Sequence, residues 1–509
     1  MQRTKRSLFN VIVTLGTNVI ILLTAFLVQK ILISSLGSDY NGVNGLFTSI
    51  ISMMSLTDLG IGSAIIYHLY RPAAKSDHSA ICSLLRFYRN SYVAISGVVL
   101  IIGLVLMFFI PDLVGTVTVR ESLYLIFGLF MADCLASYFL SYKKSVLYAY
   151  QMNYVLDGVH FVFYMLQNAA QIAVLLYFRS FIAFLLLKTL SKCVENIAIT
   201  IYIRKRYPFT SEKQVRPLAK EIRDDIIVKV KALLFHRLGK LFVTGGDSMV
   251  ITGVLGILQM SLYTNYHMIL GGIAALLNKV FETLTSSVGN FLIDSDGEQR
   301  YKVYRRIDFL NFWFFGCATV ALYTILQPVI ILWVGEEYLF SQVALFFLIL
   351  NFYQEGMRAS VMTFKDAAGI YYADRFVPLI EAALNVVISV LLAQRMGMKG
   401  VFLGTIISAG VIFLYSYPKY VCTPLFHMSW GQYVWRTAQH LIFVIVAMWG
   451  ASSLTTWMDL GVSWMNVIIS GMISVAIFHV LLLCIYGRSE EMRYFWNVAL
   501  KLIIKRRSV

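Results

Sequence analysis

The sequence predicts an all-α integral membrane protein with 14 transmembrane helices. Three observations support this prediction: the composition, the length of the apolar runs, and the distribution of Lys and Arg. Of the 509 residues, 59% are hydrophobic and 14% are charged, and the mean hydropathy is +0.72. About a quarter of the residues in a soluble globular protein are charged, so a soluble fold is excluded. Apolar runs of about 20 residues predict spanning helices rather than a barrel, whose strands alternate over about 10 residues.

The apolar runs define fourteen spans separated by more polar loops. These spans lie near residues 8–33, 43–69, 90–110, 121–142, 155–177, 181–203, 232–253, 257–278, 308–333, 340–363, 376–396, 399–417, 437–457 and 463–486. An even number of spans places both termini on the same side of the membrane. The loops on the opposite side are short, so we expect no folded catalytic or receptor domain there.

Positive charge is concentrated on one side of the predicted membrane. The termini and the loops on their side hold 33 of the 43 Lys and Arg residues, whereas the opposite loops hold only Arg120, Arg179 and Lys399. Because cytoplasmic loops carry an excess of Lys and Arg, we predict that both termini are cytoplasmic. The same topology explains the net charge of +16, so we expect no nucleic-acid partner.

The sequence lacks the motifs of common catalytic and cofactor sites. It has no P-loop, no HExxH, no GxSxG and no histidine cluster with metal-ligand spacing. Its six cysteines are scattered and form no CxxC, which indicates neither a metal site nor a disulfide framework. We therefore expect a protein that is not an enzyme, binds no cofactor and does not itself hydrolyse ATP.

The longest predicted cytoplasmic loop divides the first twelve spans into two halves. We predict an N-lobe over residues 1–203, a linker over 204–231 and a C-lobe over 232–420, followed by two more spans within 421–486. The two six-helix lobes are expected to be pseudo-symmetric, because internal repeats are common in transporters. A short echo supports this expectation: span one ends in Leu36-Gly37 and span seven ends in Leu255-Gly256.

The C-terminal stretch 487–509 combines apolar and basic residues. Its apolar residues recur at helical spacing, and Lys501, Lys505, Arg506 and Arg507 lie among them. A helix of this kind binds the surface of a membrane that carries anionic lipids. We therefore predict a cytoplasmic amphipathic tail on the inner leaflet; a disordered basic tail is the alternative.

Span six carries the most informative charges. Lys188 and Lys192 are four residues apart and Glu195 follows one turn later, so all three share one helical face. Two lysines at this depth cannot both reach an interface, which favours a cationic wall for an anionic substrate. The alternative is a structural pair in which Glu195 neutralises Lys192. Asp133 in span four is a candidate partner for Lys188 or Lys192.

Span five carries one polar stripe on an otherwise apolar helix. The stripe comprises Asp157, His160, Tyr164, Asn168 and Gln171, spaced three or four residues apart. Such a face suits a sugar-like or hydrated ligand, so we select Asp157, His160 and Asn168 as substrate-binding candidates. Hydrogen bonds between helices are an equally reasonable use of these side chains.

Other charges within the spans complete the candidate set. Lys30, Lys279 and Arg358 are further substrate-binding candidates. Lys279 and Arg358 lie near the cytoplasmic end of their spans and Lys30 near the outer end of span one, so all three can also extend to the interface. The acidic candidates for ion coupling or charge balance are Asp58, Asp133, Glu195, Asp247, Glu282 and Glu381. Asp58 lies beside a cluster of small residues that favours close helix packing, so a structural role fits it equally well.

Several short motifs, in order along residues 1–430, resemble one known family. They are Leu36-Gly37 with Tyr40-Asn41-Gly42, Leu56-Thr57-Asp58-Leu59-Gly60-Ile61-Gly62 before Tyr70, Gly246-Asp247 to Leu255-Gly256 with Leu262-Tyr263-Thr264-Asn265-Tyr266, Leu332-Trp333-Val334-Gly335-Glu336-Glu337-Tyr338, and Gly397-Met398-Lys399-Gly400-Val401. This pattern resembles the polysaccharide flippases of the multidrug/oligosaccharidyl-lipid/polysaccharide exporter superfamily. The sequence at 286–292 and 374–385 resembles family members from Gram-positive bacteria.

The resemblance implies two six-helix lobes around a cationic cavity and two extra C-terminal helices. It implies alternating access that carries an oligosaccharide on undecaprenyl pyrophosphate from the inner to the outer leaflet, for surface polysaccharide or exopolysaccharide biosynthesis. The expected partners are this substrate, the bilayer, and a polysaccharide polymerase or other glycan-assembly proteins. A proton or cation gradient, or removal of the product by polymerisation, would supply the energy.

Two alternatives stay open. A cation-coupled multidrug antiporter of the same superfamily would need a cavity dominated by unpaired carboxylates, which the basic residues of span six disfavour. A membrane-embedded glycan polymerase would also have many spans, but such enzymes generally carry a large outer loop with catalytic residues, and no such loop is predicted.

Overall fold

A computed structural model describes the backbone of residues 2–55, 61–211, 217–370, 372–459 and 461–507. Within these ranges the side chains are described except at residues 2–15, 61, 63, 64, 211, 229, 231–244 and 502–507. The described backbone forms helices with short connections and contains no β-strand. The predicted all-α class is therefore confirmed.

The helices group into two compact units, and the first comprises Met1–Thr264 and Pro378–Gln394. Its helices are α1 (Gln2–Leu36), α2 (Ser38–Met54), α3 (Ile61–Ala74), α4 (His78–Met107), α5 (Ile110–Val114), α6 (Leu123–Tyr138), α7 (Lys144–Ala149), α8 (Asn153–Tyr177), α9 (Phe181–Arg206) and α10 (Lys220–Val250). Within this unit α9 packs against α6 and α8, α1 against α8, and α2 against α10.

The second unit comprises Asn265–Val377 and Arg395–Val509. Helix α11 (Ile257–Asp294) begins in the first unit and continues in the second. The helices that follow are α12 (Gly297–Trp333), α13 (Gln342–Ala368), α14 (Val377–Met396, almost entirely in the first unit), α15 (Met398–Val411), α16 (Thr423–Phe426), α17 (Trp430–Trp457), α18 (Trp464–Tyr486) and α19 (Glu490–Arg507). In the second unit α12 is central and packs against α13, α17 and α18.

Ten helical segments in the described residues are long and apolar enough to cross a membrane, by length and composition. They correspond to ten of the fourteen predicted spans. The other four predicted spans coincide with α2 and α3, with α9, with α10 and with α13. Helices α2 and α3 are shorter, and α9 and α13 carry charged residues within their apolar stretch. Many side chains of α10 lie outside the described set. The chain is thus a multi-pass membrane protein.

Helix boundaries differ from the sequence-based boundaries in several places, and two of these differences change how a predicted segment is described. The predicted span 43–69 consists of α2 and α3, and residues 56–60 between them lie outside the described residues. The predicted linker 204–231 is largely helical, because α9 continues to Arg206 and α10 already begins at Lys220. Charged residues end an apolar run, but Lys, Arg and Glu are good helix formers, so the helices extend beyond the apolar segments. The lobe borders themselves stay predictions, since lobes are defined by how they move.

Two glycines bend the chain in the same way. Gly37 joins α1 to α2 with φ 101° and ψ 178°, and Gly256 precedes α11 with φ 93° and ψ 168°. This region of backbone space is open essentially only to glycine. The two Leu-Gly pairs that echo each other in the sequence therefore also share a backbone conformation, which supports an internal repeat.

Small residues on α2 allow close packing with the first turns of α11. A Cβ atom at Gly42 would collide with the carbonyl of Ile257, and one at Gly45 would collide with the side chain of Thr264. Beside them the fully buried Asn41 donates to the side-chain oxygen of Ser261 at 2.9 Å. The motif Tyr40-Asn41-Gly42 thus serves helix packing within the first unit.

Candidate functional site: a charged face of α9

The candidate site is built on α9, whose two ends are well capped. Ser180 precedes the helix, and its hydroxyl accepts a hydrogen bond from the N–H of Ala183 at 3.3 Å. This contact satisfies one of the N–H groups left unpaired at a helix start. Arg204, Lys205 and Arg206 occupy the last turn, where positive charge is favourable beside the free carbonyl groups.

One face of α9 carries both buried residues and the two central lysines. The buried members of this face are Phe181, Leu185, Glu195, Ile199 and Ile203. Lys188 and Lys192 occupy the positions between Leu185 and Glu195, three or four residues from their neighbours, so they lie on the same face. Both lysines are only partly exposed. The folded chain therefore directs these two cations toward the packed side of the helix.

Lys188 forms an ion pair with a neighbouring helix. Its Nζ lies 3.3 Å from Oδ2 of Asp133 on α6 and 5.3 Å from the ring centroid of Phe130. Asp133 was a candidate partner of Lys188 or Lys192, and the structure identifies Lys188. The other oxygen, Oδ1, is buried and has no hydrogen-bond partner among the described residues. A partly exposed ion pair contributes about 1 kcal/mol or less, so an anionic ligand could compete with Asp133 for Lys188.

Glu195 binds two groups that lie outside α9. Its Oε1 is 3.0 Å from Nζ of Lys144 on α7, and its Oε2 is 3.1 Å from Nδ1 of His160 on α8. The structural pair between Glu195 and Lys192 that the sequence suggested is therefore not formed. Sequence reasoning missed Lys144 because it was counted as a cytoplasmic loop lysine and lies 51 positions from its partner.

Lys192 lies between these two contact groups. Within the described side chains, no carboxylate is within ion-pair distance of its Nζ. The combined set holds three lysines (Lys144, Lys188 and Lys192) and two carboxylates (Asp133 and Glu195), so it carries one net positive charge when His160 is neutral. This arrangement can bind an anion through Lys192, with Lys188 available by exchange.

The polar stripe of α8 is divided between two environments. Asp157 and His160 are exposed, whereas Asn168 and Gln171 are buried. The amide of Asn168 donates to the carbonyl of Tyr164 in its own helix at 2.7 Å, and the amide of Gln171 donates to the carbonyl of Phe184 on α9 at 2.9 Å. Gln171 thus makes a hydrogen bond between helices, of the kind that the alternative interpretation describes, whereas Asn168 bonds within its own helix and the side chains of Asp157 and His160 are exposed.

In the second unit, three predicted residues belong to local ion pairs. Nζ of Lys279 lies 3.0 Å from Oε2 of Glu282 on α11, and both side chains are exposed. Nε of Arg358 lies 3.0 Å from Oε2 of Glu355 on α13. Glu355 was not selected from the sequence, although its spacing of three residues from Arg358 is typical of a helical ion pair.

Two predicted coupling residues are buried in the first unit. Asp247 lies on α10 and Glu381 on α14, and both side chains are shielded from solvent. Asn385 and Ser389 follow Glu381 at spacings of four residues and are also buried. A polar face of α14 is therefore packed inside this unit, where acidic groups are costly unless they are paired or protonated.

Two further candidates lie apart from these groups. Lys30 has an exposed side chain close to the C-terminal end of α1. Asp58 falls within residues 56–60 and lies outside the described residues. The functional roles of both residues therefore stay predictions.

Comparison of the sequence with known protein families and with curated proteins gives no match. The fold, however, is similar to solved structures. An inward-facing multidrug resistance MATE family transporter of the MOP superfamily has a TM-score of 0.62 and 15% identity, over 76% of this chain and 91% of that chain. The lipid II flippase MurJ, in an inward closed conformation, has a TM-score of 0.62 and 13% identity, over 94% of this chain and 99% of that chain.

At these identities the likeness concerns the fold alone. The chain has a fold found in transporters of the MOP superfamily, and the similar structures are transporters and flippases rather than enzymes. Both a drug transporter and a lipid flippase share this fold, so the substrate has to be argued from the charged face of α9.

Proposed function

We propose that this protein is a flippase that moves a lipid-linked oligosaccharide from the inner to the outer leaflet of the bacterial plasma membrane. The carrier is undecaprenyl pyrophosphate, and the glycan is used for surface polysaccharide or exopolysaccharide biosynthesis. Transport occurs by alternating access of one site to the two sides of the membrane. The sequence resemblance described above and a fold shared with a lipid II flippase support this substrate class.

The observation that carries the proposal is the net positive charge on the face formed by Lys188 and Lys192. A pyrophosphate is a compact, doubly esterified anion that needs cationic donors, and hydrogen bonds between charged groups are the strongest available. Lys192 binds the anion first, because it has no carboxylate partner in the described side chains. Lys188 follows by leaving Asp133. A cavity built for a cationic drug would instead present free carboxylates.

The other candidate residues receive supporting roles. Asp157 and His160 on the open part of α8 contact the hydrated sugar, whereas Asn168 would need a change of packing to do so. Asp133 and Glu195 balance the lysines when the site is empty. Asp58, Asp247 and Glu381 are the candidates for coupling transport to a proton or cation gradient, and Lys30, Lys279, Glu282 and Arg358 contribute to the charge of the pathway.

A flipping assay in proteoliposomes tests the proposal. The probe is a fluorescent oligosaccharide on undecaprenyl pyrophosphate, and the measurement is its accessibility to a membrane-impermeant reagent in each leaflet. Lys188→Ala combined with Lys192→Ala should lower the transport rate at least about tenfold, because each charged hydrogen bond is worth about 1.5–3 kcal/mol. In cells, the double variant should stay in the membrane and abolish surface polysaccharide.

The matched control is Lys205→Ala, which removes a lysine from the last turn of the same helix, away from the charged face. It should leave the transport rate close to that of the unchanged protein. Normal surface polysaccharide in the double variant would overturn the assignment of the substrate site.

A second candidate function is cation-coupled drug export. It is favoured by the similarity in fold to a multidrug resistance transporter and by the buried carboxylates Asp247 and Glu381. Deletion of the gene separates the two functions: loss of drug resistance with normal surface glycan indicates an antiporter, and loss of glycan with unchanged resistance indicates the flippase.

The proposed flippase leaves the length of the glycan unchanged. It transfers the glycan without extending it, so the purified protein should show leaflet transfer and no chain elongation in vesicles that contain the lipid-linked substrate. Chain elongation without leaflet transfer would indicate a membrane-embedded polymerase. A separate polymerase or other glycan-assembly proteins are then the expected partners on the outer side.

A further inference from the structure

The C-terminal helix α19 divides into a docked half and a free half. Three residues, 487–489, separate it from α18, a membrane-crossing helix by length and composition. The hydroxyl of Ser489 accepts a hydrogen bond from the N–H of Met492 at 3.2 Å and caps the helix start. The short connection places the first turn of α19 at the membrane surface where α18 ends.

Glu491 ties the docked half to other helices of the second unit. Its Oε1 lies 2.7 Å from Nη2 of Arg305 on α12 and 3.4 Å from Nη1 of Arg436 on α17, and its side chain is only 6% exposed. Arg436 in turn contacts Oδ2 of Asp308 at 2.7 Å, and Ser360 on α13 donates to Oδ1 of the same carboxylate at 3.0 Å. One buried network thus joins α12, α13, α17 and α19.

Glu491 is ionised in this network at neutral pH. Burial alone would raise the pKa of its carboxyl, but a hydrogen bond from its own backbone N–H and the charges of Arg436 and Arg305 lower the pKa below its ordinary value. Neutralising Glu491 would leave two arginines with one acceptor fewer. The tail helix therefore supplies one of the two carboxylates that contact Arg436 in this network.

Apolar and aromatic contacts complete the docking. Met492 is buried, the ring of Phe495 stacks on Phe309 with 6.3 Å between centroids, and the guanidinium of Arg306 lies 4.0 Å from the ring centroid of Tyr494. These contacts end at Phe495. The docked half is therefore confined to the first two turns of α19.

The free half begins at Trp496. Every described residue from 496 to 501 is exposed, including Trp496 at 62% and Leu500 at 41%. Helical geometry places Trp496 and Leu500 along one side and Lys501 on another side of the same helix, and the sequence continues with Ile503 and Lys505. An exposed apolar stripe among basic residues, next to a membrane surface, has the chemistry of a site for anionic lipid.

We propose that α19 is a latch whose free half binds anionic phospholipid headgroups of the inner leaflet and whose docked half locks the end of the second unit at that surface. Both halves belong to one continuous helix, so lipid binding and docking are linked. Each must strengthen the other by the same factor, because the coupling free energy is reciprocal. This inference goes beyond the proposed flippase and requires only that α19 lies on the cytoplasmic side.

The first test measures lipid binding with the full-length protein in nanodiscs. Quenching of tryptophan fluorescence by brominated phosphatidylglycerol is compared between the unchanged protein and Trp496→Phe, and the difference isolates Trp496. This difference in quenching should be large with brominated phosphatidylglycerol and smaller with brominated phosphatidylcholine alone. Replacing both lysines, Lys501→Gln with Lys505→Gln, should reduce the difference seen with phosphatidylglycerol. Equal differences in the two lipids, or none in either, would overturn the lipid assignment.

The second test measures the latch by trypsin cleavage after Arg493, inside the docked turns. Glu491→Gln should raise the cleavage rate about tenfold, the lower end of what a lost charged contact costs. Glu490→Gln is the matched control, because Glu490 is exposed and only 3.7 Å from Arg305 at its closest, and it should change the rate little. Phosphatidylglycerol should slow cleavage of the unchanged protein, and it should slow cleavage of the Glu491→Gln variant to a smaller extent.

If Glu491→Gln does not fold, Phe495→Ala provides a second way to loosen the docked half and should raise cleavage in the same direction. Cleavage that does not differ between Glu491→Gln and Glu490→Gln would exclude the latch. None of these measurements uses the transported substrate, so a failed latch and a failed flippase proposal remain distinguishable.

Discussion

Lys188 and Lys192 are identical side chains one helical turn apart, but the residues around them give them different roles. Lys188 is held by Asp133 on α6, and its removal leaves a carboxylate in a partly buried position with one oxygen already unpaired. An uncompensated buried charge is more destabilising than the loss of the pair itself. Lys192 leaves no such partner behind. Stability and substrate affinity should therefore respond to different lysines.

This difference can be measured with single variants and a double-mutant cycle. Lys188→Ala should lower the melting temperature of the detergent-solubilised protein, and Asp133→Asn in the same chain should restore most of it, with a coupling energy of about 1 kcal/mol or less. Lys192→Ala should leave the melting temperature nearly unchanged and raise the KM for the lipid-linked substrate about tenfold or more, because it removes a charged hydrogen bond. Identical effects of the two single variants on both quantities would contradict the assignment.

Among the elements, the repeated Leu-Gly pair can be read from the sequence, whereas the bend at Gly37 and at Gly256 is seen only in the structure. The Leu-Gly pairs were recognised as an echo, and the structure gives both glycines nearly the same dihedral angles. The close approach of α2 and α11 needs Gly42 and Gly45 as well. Motifs of small residues are visible in a sequence because backbone geometry at such positions depends on the local residue type.

Replacing either bend glycine tests this element. Gly37→Ala and Gly256→Ala should each lower the free energy of unfolding by about 1–3 kcal/mol, because alanine must adopt a backbone region open essentially to glycine. Gly16→Ala is the control: Gly16 lies within α1 with open space around it, so alanine should be neutral or raise stability by up to about 1 kcal/mol. Thermal unfolding in detergent provides the comparison, and equal effects at positions 16 and 37 would argue against the strained bend.

For the whole molecule, composition and periodicity are sufficient to predict the class of fold, because only helices and closed barrels pair all their backbone groups in lipid. The partners within the site could not be read in the same way. Lys144 and Glu195 meet across 51 positions, and Arg305 and Glu491 across 186, and one sequence carries no signal for such contacts. The sequence offers Asp133 as a partner of either Lys188 or Lys192 and does not decide between them. Charges that share a helix face are predictable; the helix opposite them is not.

The fourteen-span topology has its most informative test at α9, which carries the site and is not among the ten helices apolar enough to be counted by composition. If α9 crosses the membrane, its ends lie on opposite sides. In a background without the six native cysteines, Arg179→Cys should react with an impermeant maleimide on intact cells, and Lys205→Cys only after permeabilisation.

The positive-charge distribution gives the expected direction, since Arg204, Lys205 and Arg206 at one end of α9 favour the cytoplasm and a lone Arg179 precedes the other. Labelling of both positions from the same side would remove α9 from the membrane. The span count would then be odd, the two termini would lie on opposite sides, and Lys188 and Lys192 could no longer line a transmembrane path. This one measurement therefore tests the topology and the substrate site together.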